Sequence, residues 1–258
     1  MKKIAIKVDA SLFPDALRAY LNGARCHDSS CSEAVRTIFI DGPVRAYLKI
    51  NKQGSLVREM KMIRFMHHHG LAPGVLEYVS ENGLDYLLTV ALAGEDGIWE
   101  GHLSSPGRLA GAMGEYLRLI HNLPVAGCPY TGRSIEMYTQ SRHNINRGYA
   151  DRQIIPEDLA LAAKKLDSLR GLAQDNVVIH GDYCLPNIIM RDFELSGFVD
   201  LGTGGVGDRH YDLFWGIWTL RYNLKTDTYR DTFLDAYGRM DIDNDRMELC
   251  RLLAGFTE

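Results

Sequence analysis

The sequence predicts an α+β protein in two lobes, an N-terminal antiparallel sheet with one helix over residues 1–93 and a mainly helical C-terminal lobe over residues 94–258. Three observations predict it. From about residue 25 to 50 the apolar residues come in short alternating or β-branched runs, with strand-like segments again at 74–79 and 84–90, and after Gly94 they recur at helical spacing. A strand-like patch returns only within residues 176–201. With 258 residues, 46% of them hydrophobic, the chain can bury enough core for two lobes.

In order along the chain, residues 35–40 and 44–50 read as strands joined by Asp41-Gly42, a hairpin dipeptide. Residues 55–69 set Leu56, Met60, Ile63 and His67 on one helical face, with Gly70 as the C-cap. Residues 74–79 and 84–90 are two further strands around Glu81-Asn82-Gly83. Beyond Gly94, Leu109, Met113, Leu117 and Ile120 form an apolar helix face that closes at His121, before Pro124. Residues 157–172 and 208–238 read as further helices, and 177–179, 188–190 and 196–201 as short strands. There is no internal repeat, low-complexity tract or Pro/Gly/Ser linker, so no flexible tether is expected.

No apolar run approaches the roughly 20 residues of a membrane-spanning helix. The opening Met-Lys-Lys-Ile-Ala-Ile-Lys lacks the apolar core and cleavage site of a signal peptide. The expectation is a cytoplasmic protein, monomer or weak dimer, with no membrane or nucleic-acid partner. Five cysteines (26, 31, 128, 184 and 250) form no Cys-x-x-Cys pair and are expected as buried reduced thiols. The net charge of −4 is unevenly spread: residues 1–93 hold 12 basic and 9 acidic residues (+3), residues 94–258 hold 17 and 24 (−7). An anionic ligand suits the first part and a cationic one the second, although solvated acidic surface accounts for the surplus equally well.

The chemistry gathers between His180 and Asp200. A buried strand, Val177-Val178-Ile179, runs into His180-Gly181-Asp182-Tyr183-Cys184-Leu185-Pro186-Asn187, and a hairpin then leads to Phe198-Val199-Asp200-Leu201-Gly202. This layout is expected to set two carboxylates and a carboxamide at the mouth of one small sheet. Phosphoryl transfer uses such a set, one carboxylate to accept a hydroxyl proton and a carboxylate with an amide oxygen to hold magnesium on the phosphates. Gly202-Thr203-Gly204-Gly205-Val206-Gly207 matches a dinucleotide fingerprint, but no βαβ alternation surrounds it, and it is read as a flexible loop beside the metal site. No Walker-type Gly-x-x-x-x-Gly-Lys-Ser/Thr occurs. His67-His68-His69 point in different directions on a helix and are read as complementing its negative end.

His-Gly-Asp-x-x-x-x-Asn followed by Asp-x-Gly resembles the signature of the aminoglycoside phosphotransferase family, relatives of the protein kinases. The longer run Ser196-Gly197-Phe198-Val199-Asp200-Leu201-Gly202, continued by Asp208-Arg209-His210-Tyr211-Asp212, is similar to the 3'-phosphotransferase branch. The resemblance covers nearly the whole chain and implies a bilobal protein-kinase-like fold. It also implies ATP or GTP as phosphoryl donor, magnesium as cofactor and a hydroxyl-bearing cationic acceptor. It makes Asp182 the catalytic base, Asn187 and Asp200 the metal ligands, and Lys49, held by Glu59, the phosphate-binding cation. Ser32 falls in the nucleotide-positioning loop, and Val90 and Leu92 in the hinge that would hold adenine. His180 and Asp212 are expected to be structural.

For the acceptor, Asp151, Glu157, Asp158, Phe256 and Glu258 are the expected contacts. Two departures bear on it. Thr203 stands where the 3'-branch carries arginine, and Ala254-Gly255 where it carries an acidic pair. The segment from Tyr130 to Val177 is also shorter than in familiar members. An aminoglycoside 3'-phosphotransferase leads the reading. A same-fold kinase of another alcohol (a macrolide, a sugar or choline) and a non-catalytic nucleotide-binding module are the alternatives.

Overall fold

The computed structural model describes residues 4–30 and 35–257. The chain divides into two compact units, Met1–Gly97 with Pro186–Gly202, and Ile98–Leu185 with Thr203–Glu258.

The first unit is built on a six-stranded antiparallel sheet. Its strands are β1 (Ile4–Ile6), β2 (Arg25–Asp28), β3 (Arg36–Asp41), β4 (Ala46–Lys52), β5 (Val75–Glu81) and β6 (Leu84–Val90), in the order β1-β2-β3-β4-β6-β5. The β5–β6 turn is closed by Asn82 and Gly83, both left-handed at φ 52° and 79°, the conformation an Asn-Gly hairpin selects. Helix α2 (Val57–His68) ends at Gly70, φ 73°, as expected from the sequence. A helix not foreseen from the sequence, α1 (Asp15–Leu21), precedes β2. It spans only seven residues and signals itself by the pair Leu17 and Leu21, both buried against Ile38, Leu48 and Leu88, too short a stretch for a clear helical period.

The chain continues through β7 (Glu95–Asp96), α3 (Glu100–Leu103), α4 (Pro106–His121), α5 (Arg133–Asn146), α6 (Leu159–Leu169) and β8 (Val177–Ile179). It then forms β9 (Ile188–Arg191) and β10 (Glu194–Phe198), followed by β11 (Gly205–Gly207), α7 (Arg209–Leu224), α8 (Arg230–Tyr237) and α9 (Asn244–Thr257). The predicted apolar face of α4 is realised, with Leu109, Met113, Leu117 and Ile120 all buried. The expected helical stretch 208–238 is two helices, because Lys225 turns left-handed at φ 57° and caps α7. Helices α5 and α9 went unread: the buried face of α5 is mostly polar, Ser134, Ser141 and Asn144 beside Met137, and α9 buries Leu249, Cys250 and then 252–256 as a near-continuous run, so neither shows a clear helical period.

Two expectations about the central patch are corrected. Strand β9 pairs with β10 on one side and β7 on the other in a three-stranded sheet, whereas β8 pairs with β11 in a separate two-stranded one. The carboxylates and carboxamide therefore do not flank one sheet. The glycine-rich segment is not a free loop either, since Gly205, Val206 and Gly207 are buried and matched to Ile179, Val178 and Val177. Glycine suits that strand because side chains of Arg133 and Ile179 occupy the space a Cβ would take.

Candidate functional site

In the first unit the site is built from a strand, a helix and a turn. Lys49 lies mid-strand on β4, between Thr37 of β3 and Leu87 of β6. Its ammonium donates to Glu59 Oε1 at 2.6 Å and also contacts Asp200 Oδ1. Glu59 is buried in the first turn of α2, where the positive end of the helix dipole favours its charge. Asp200 follows β10 in a left-handed conformation, φ 58°, which Asp tolerates better than most residues. Asn187 is buried, and its carbonyl accepts from the Val199 amide, tying the two ends of the β9–β10 hairpin together. Gly202 passes beside Glu59, a Cβ there falling 3.7 Å from the Glu59 Cβ.

In the second unit the loop after β8 is fixed by buried side chains. Asp212 of α7 is fully buried and accepts from the His180 amide at 2.7 Å and the Gly181 amide at 2.8 Å. Its Oδ2 also meets His121 Nε2 at 3.3 Å, while His121 Nδ1 lies 2.8 Å from the Tyr237 hydroxyl. Burial pushes His121 below its usual pKa, with the Asp212 hydrogen bond and charge opposing. Gly181 adopts φ 83° and lies directly under the Thr203 carbonyl, so no side chain fits. His180 is fully buried, and its Nδ1 faces the Asp182 amide at 3.3 Å. Tyr183 donates its hydroxyl to the Met113 carbonyl of α4 at 2.7 Å. Burial, reinforced by the Asp212 charge, drives the Tyr183 pKa well above its ordinary value, so the phenol remains a donor. Asp182 is half-buried on a backbone anchored on both sides.

The phosphotransferase enzyme family model matches residues 34–250. The chain belongs to this family. A probable aminoglycoside 3'-phosphotransferase of Lactococcus lactis is 38% identical over 250 residues, covering 95% of both chains. An aminoglycoside 3'-phosphotransferase of Niallia circulans is 32% identical over 68% of both. Among solved structures, an aminoglycoside-3'-phosphotransferase of type VIII superposes with a TM-score of 0.76 at 24% identity, over 94% of this chain and 98% of that one. A Streptomyces rimosus aminoglycoside phosphotransferase in complex with ADP and streptomycin gives 0.77 at 23% identity, over 98% and 100%. These likenesses carry the kinase-like fold expected from the sequence.

In this phosphotransferase the expected acceptor contacts are largely engaged elsewhere. Glu157 pairs with Arg251 at 2.5 Å, and Arg251 also binds Glu248 at 2.8 Å. Hydrogen bonds from Arg251 hold Glu248 down to about 2 against the opposing effect of burial, with Lys165 assisting. Asp158 caps α6, accepting from the Ala160 and Leu161 amides. Asp151 accepts from the Gln153 amide, and its own amide donates to the Gly255 carbonyl. The Phe256 side chain is buried and only its carbonyl is used, by Asn144 Nδ2 at 2.7 Å, so a ring contact to an acceptor is corrected to a core role. Ala254 and Gly255 are buried too, and a Cβ on Gly255 would meet Ile155 Cγ1 at 2.5 Å, which leaves no room for an acidic pair. The Val90 amide already donates to the Gly74 carbonyl. Ser32 and Glu258 lie outside the described residues. The buried anchors of the loop, Tyr183 with Met113 and Leu185 with Thr219, went unread because nothing in the sequence marks a partner 70 or 34 residues away.

Proposed function

We propose that this phosphotransferase moves the terminal phosphoryl group of ATP or GTP to a hydroxyl of an aminoglycoside, the 3'-hydroxyl, and so confers resistance in the cytoplasm. The observation that carries the reading is the 38% identity with the L. lactis relative along 95% of both chains. Residues 1–93 serve as the nucleotide lobe, including its hinge, and 94–258 as the catalytic and acceptor lobe. Asp182 orients the acceptor hydroxyl and takes its proton. Lys49, kept extended by Glu59, faces the α- and β-phosphates. With the Val90 amide engaged, adenine is held by the backbone around Leu92. Asp151 attracts the acceptor's amines, and Ser32 serves in positioning the nucleotide.

Asn187 and Asp200 fit magnesium: both offer oxygen, which this hard ion prefers, and Asp200 already attracts a cation, the Lys49 ammonium. Bound there, the ion would neutralise phosphate charge as the transferred group separates. The protein's own contribution is positioning and fixed charge, since little covalent chemistry is required of it.

The test is a coupled ADP-release assay with ATP and with GTP, across aminoglycosides that carry or lack the 3'-hydroxyl. Turnover with the first group and its loss with the 3'-deoxy compounds is expected. Absence of ADP release with every aminoglycoside would overturn the substrate assignment, and undiminished turnover of the 3'-deoxy compounds would overturn the position.

A further inference from the structure

We propose that Thr219 is a positioning residue for phosphoryl transfer, its hydroxyl fixing the downstream half of the loop that carries Asp182. The proposal rests on the assignment of Asp182 made above and extends it to a residue outside the signature.

The loop from His180 to Leu185 has three buried tethers. Upstream, Asp212 takes the His180 and Gly181 amides. In the middle, the Tyr183 hydroxyl donates to the Met113 carbonyl and accepts from the Leu117 amide, entering the hydrogen-bond ladder of α4. Downstream, the Leu185 amide donates to Thr219 Oγ1 at 3.2 Å. Leu185 is fully buried and opens a turn of 3-10 helix, where an amide has no partner within its own helix. The Thr219 hydroxyl takes the place of an N-cap supplied from a distant element.

Packing alone gives no reason for a hydroxyl here. Thr219 sits inside α7 with 1% of its surface exposed, and valine has nearly the same shape and the same β-branching. The oxygen is itself oriented. Asn223, one turn on, donates Nδ2 to the Thr219 carbonyl at 2.8 Å and to Oγ1 at 3.2 Å. The network therefore joins Asn223 and the Leu185 amide at one oxygen, Thr219 Oγ1, which accepts from both. It reaches Asp182 through a tight turn, because the Cys184 amide donates to the Asp182 carbonyl at 2.8 Å.

The consequence separates positioning from folding. Loss of the Thr219 hydroxyl leaves Asp212 and Tyr183 holding the loop in place, while its downstream half loses its tether. Reacting groups displaced by a fraction of an ångström react more slowly even where binding is unchanged.

The experiment compares the full-length wild type with Thr219→Val, Thr219→Ser and Asp182→Ala, using ATP and kanamycin A in the ADP-release assay. Thr219→Val is expected to lower kcat by about ten- to a hundredfold with the KM for ATP within about twofold, and Thr219→Ser to recover to within about threefold of wild type. Hydrogen exchange of the peptide spanning residues 180–187 should be faster in Thr219→Val and of wild-type rate in Thr219→Ser, a measurement that needs no acceptor. Wild-type kcat or unchanged exchange in Thr219→Val would overturn the proposal. Equal impairment of the Ser and Val variants, or loss of activity only in proportion to unfolded protein, would do the same. An active Asp182→Ala would instead remove the Asp182 assignment, and the positioning role with it, while leaving the exchange result standing as a purely structural finding.

Discussion

Replacing Asp212 by asparagine should lower both stability and turnover, by amounts its geometry allows one to work out. The carboxylate accepts two short backbone hydrogen bonds, from His180 and Gly181, and approaches His121 at zero exposure. Hydrogen bonds to a buried charged acceptor are worth about 1.5–3 kcal/mol each. Asparagine keeps one oxygen, so one bond survives in neutral form, and its NH2 then confronts the second amide donor to donor. Removing a buried charge recovers some desolvation cost, and the net loss is about 2–4 kcal/mol. For a chain of this size that lowers Tm by roughly 5–15 °C. Turnover should fall about a hundredfold or more, because Gly181 adjoins Asp182 and its amide direction sets the loop. Thermal melting by circular dichroism and the ADP-release assay read the two effects. A melting temperature within about 1 °C of wild type, with full turnover, would refute the view that Asp212 clamps the loop through its charge.

Two further outcomes follow from packing and charge. Gly114 of α4 faces α8, where an added Cβ would meet Ala236 Cβ and the Tyr237 amide nitrogen at 2.8 Å, besides the Phe233 carbonyl. Gly114→Ala should therefore cost about 1–3 kcal/mol in urea unfolding, since backbone on α8 cannot yield cheaply, and an unchanged midpoint would contradict the contact. Arg251→Gln should destabilise most at neutral pH. Glu248 is held at about 2 against an ordinary 4.5, so its contribution is complete above pH 4.5 and is lost as pH falls towards 2. Glu157 is lowered in the same direction: burial, the largest influence, opposes, and the hydrogen bond and charge of Arg251 with a backbone hydrogen bond together outweigh it. Urea midpoints at pH 7, 5 and 4 should show the gap between variant and wild type narrowing, and a gap that holds or widens would discount the pairing.

Local signals made the first unit legible. Asn82-Gly83 and Gly70 have the left-handed conformations their types favour, and the β4 and β6 strands lie where alternation placed them. The Lys49–Glu59 pair was reachable only through the resemblance, since neither residue carries a local mark of its partner ten positions away. What stayed hidden depends on distant pairing. Strand β8 reads as a strand from Val177-Val178-Ile179, but nothing local says that Gly205–Gly207 will be its neighbour, and glycines carry no strand propensity to suggest it. The same limit hid Thr219, an unremarkable helix residue until Leu185 is placed beside it.

The acidic surplus of residues 94–258 shows how a charge count misleads about a binding surface. It pointed to a cationic ligand because carboxylates outnumber lysines and arginines. Backbone amides also take carboxylates, and a composition does not count them. Asp158 caps α6, Asp208 caps α7 while binding Arg246, Asp243 takes the Asp245 and Arg246 amides, Asp175 takes the Ser134 amide and hydroxyl, and Asp212 takes two loop amides. Each of these carboxylates is committed to holding a helix start or a loop. Glu157 and Glu248 are committed to Arg251. These carboxylates keep their charge but are held in place, so the selection of a polycationic acceptor has to rest on a few acids placed by geometry, each testable one at a time, rather than on the net charge of the lobe.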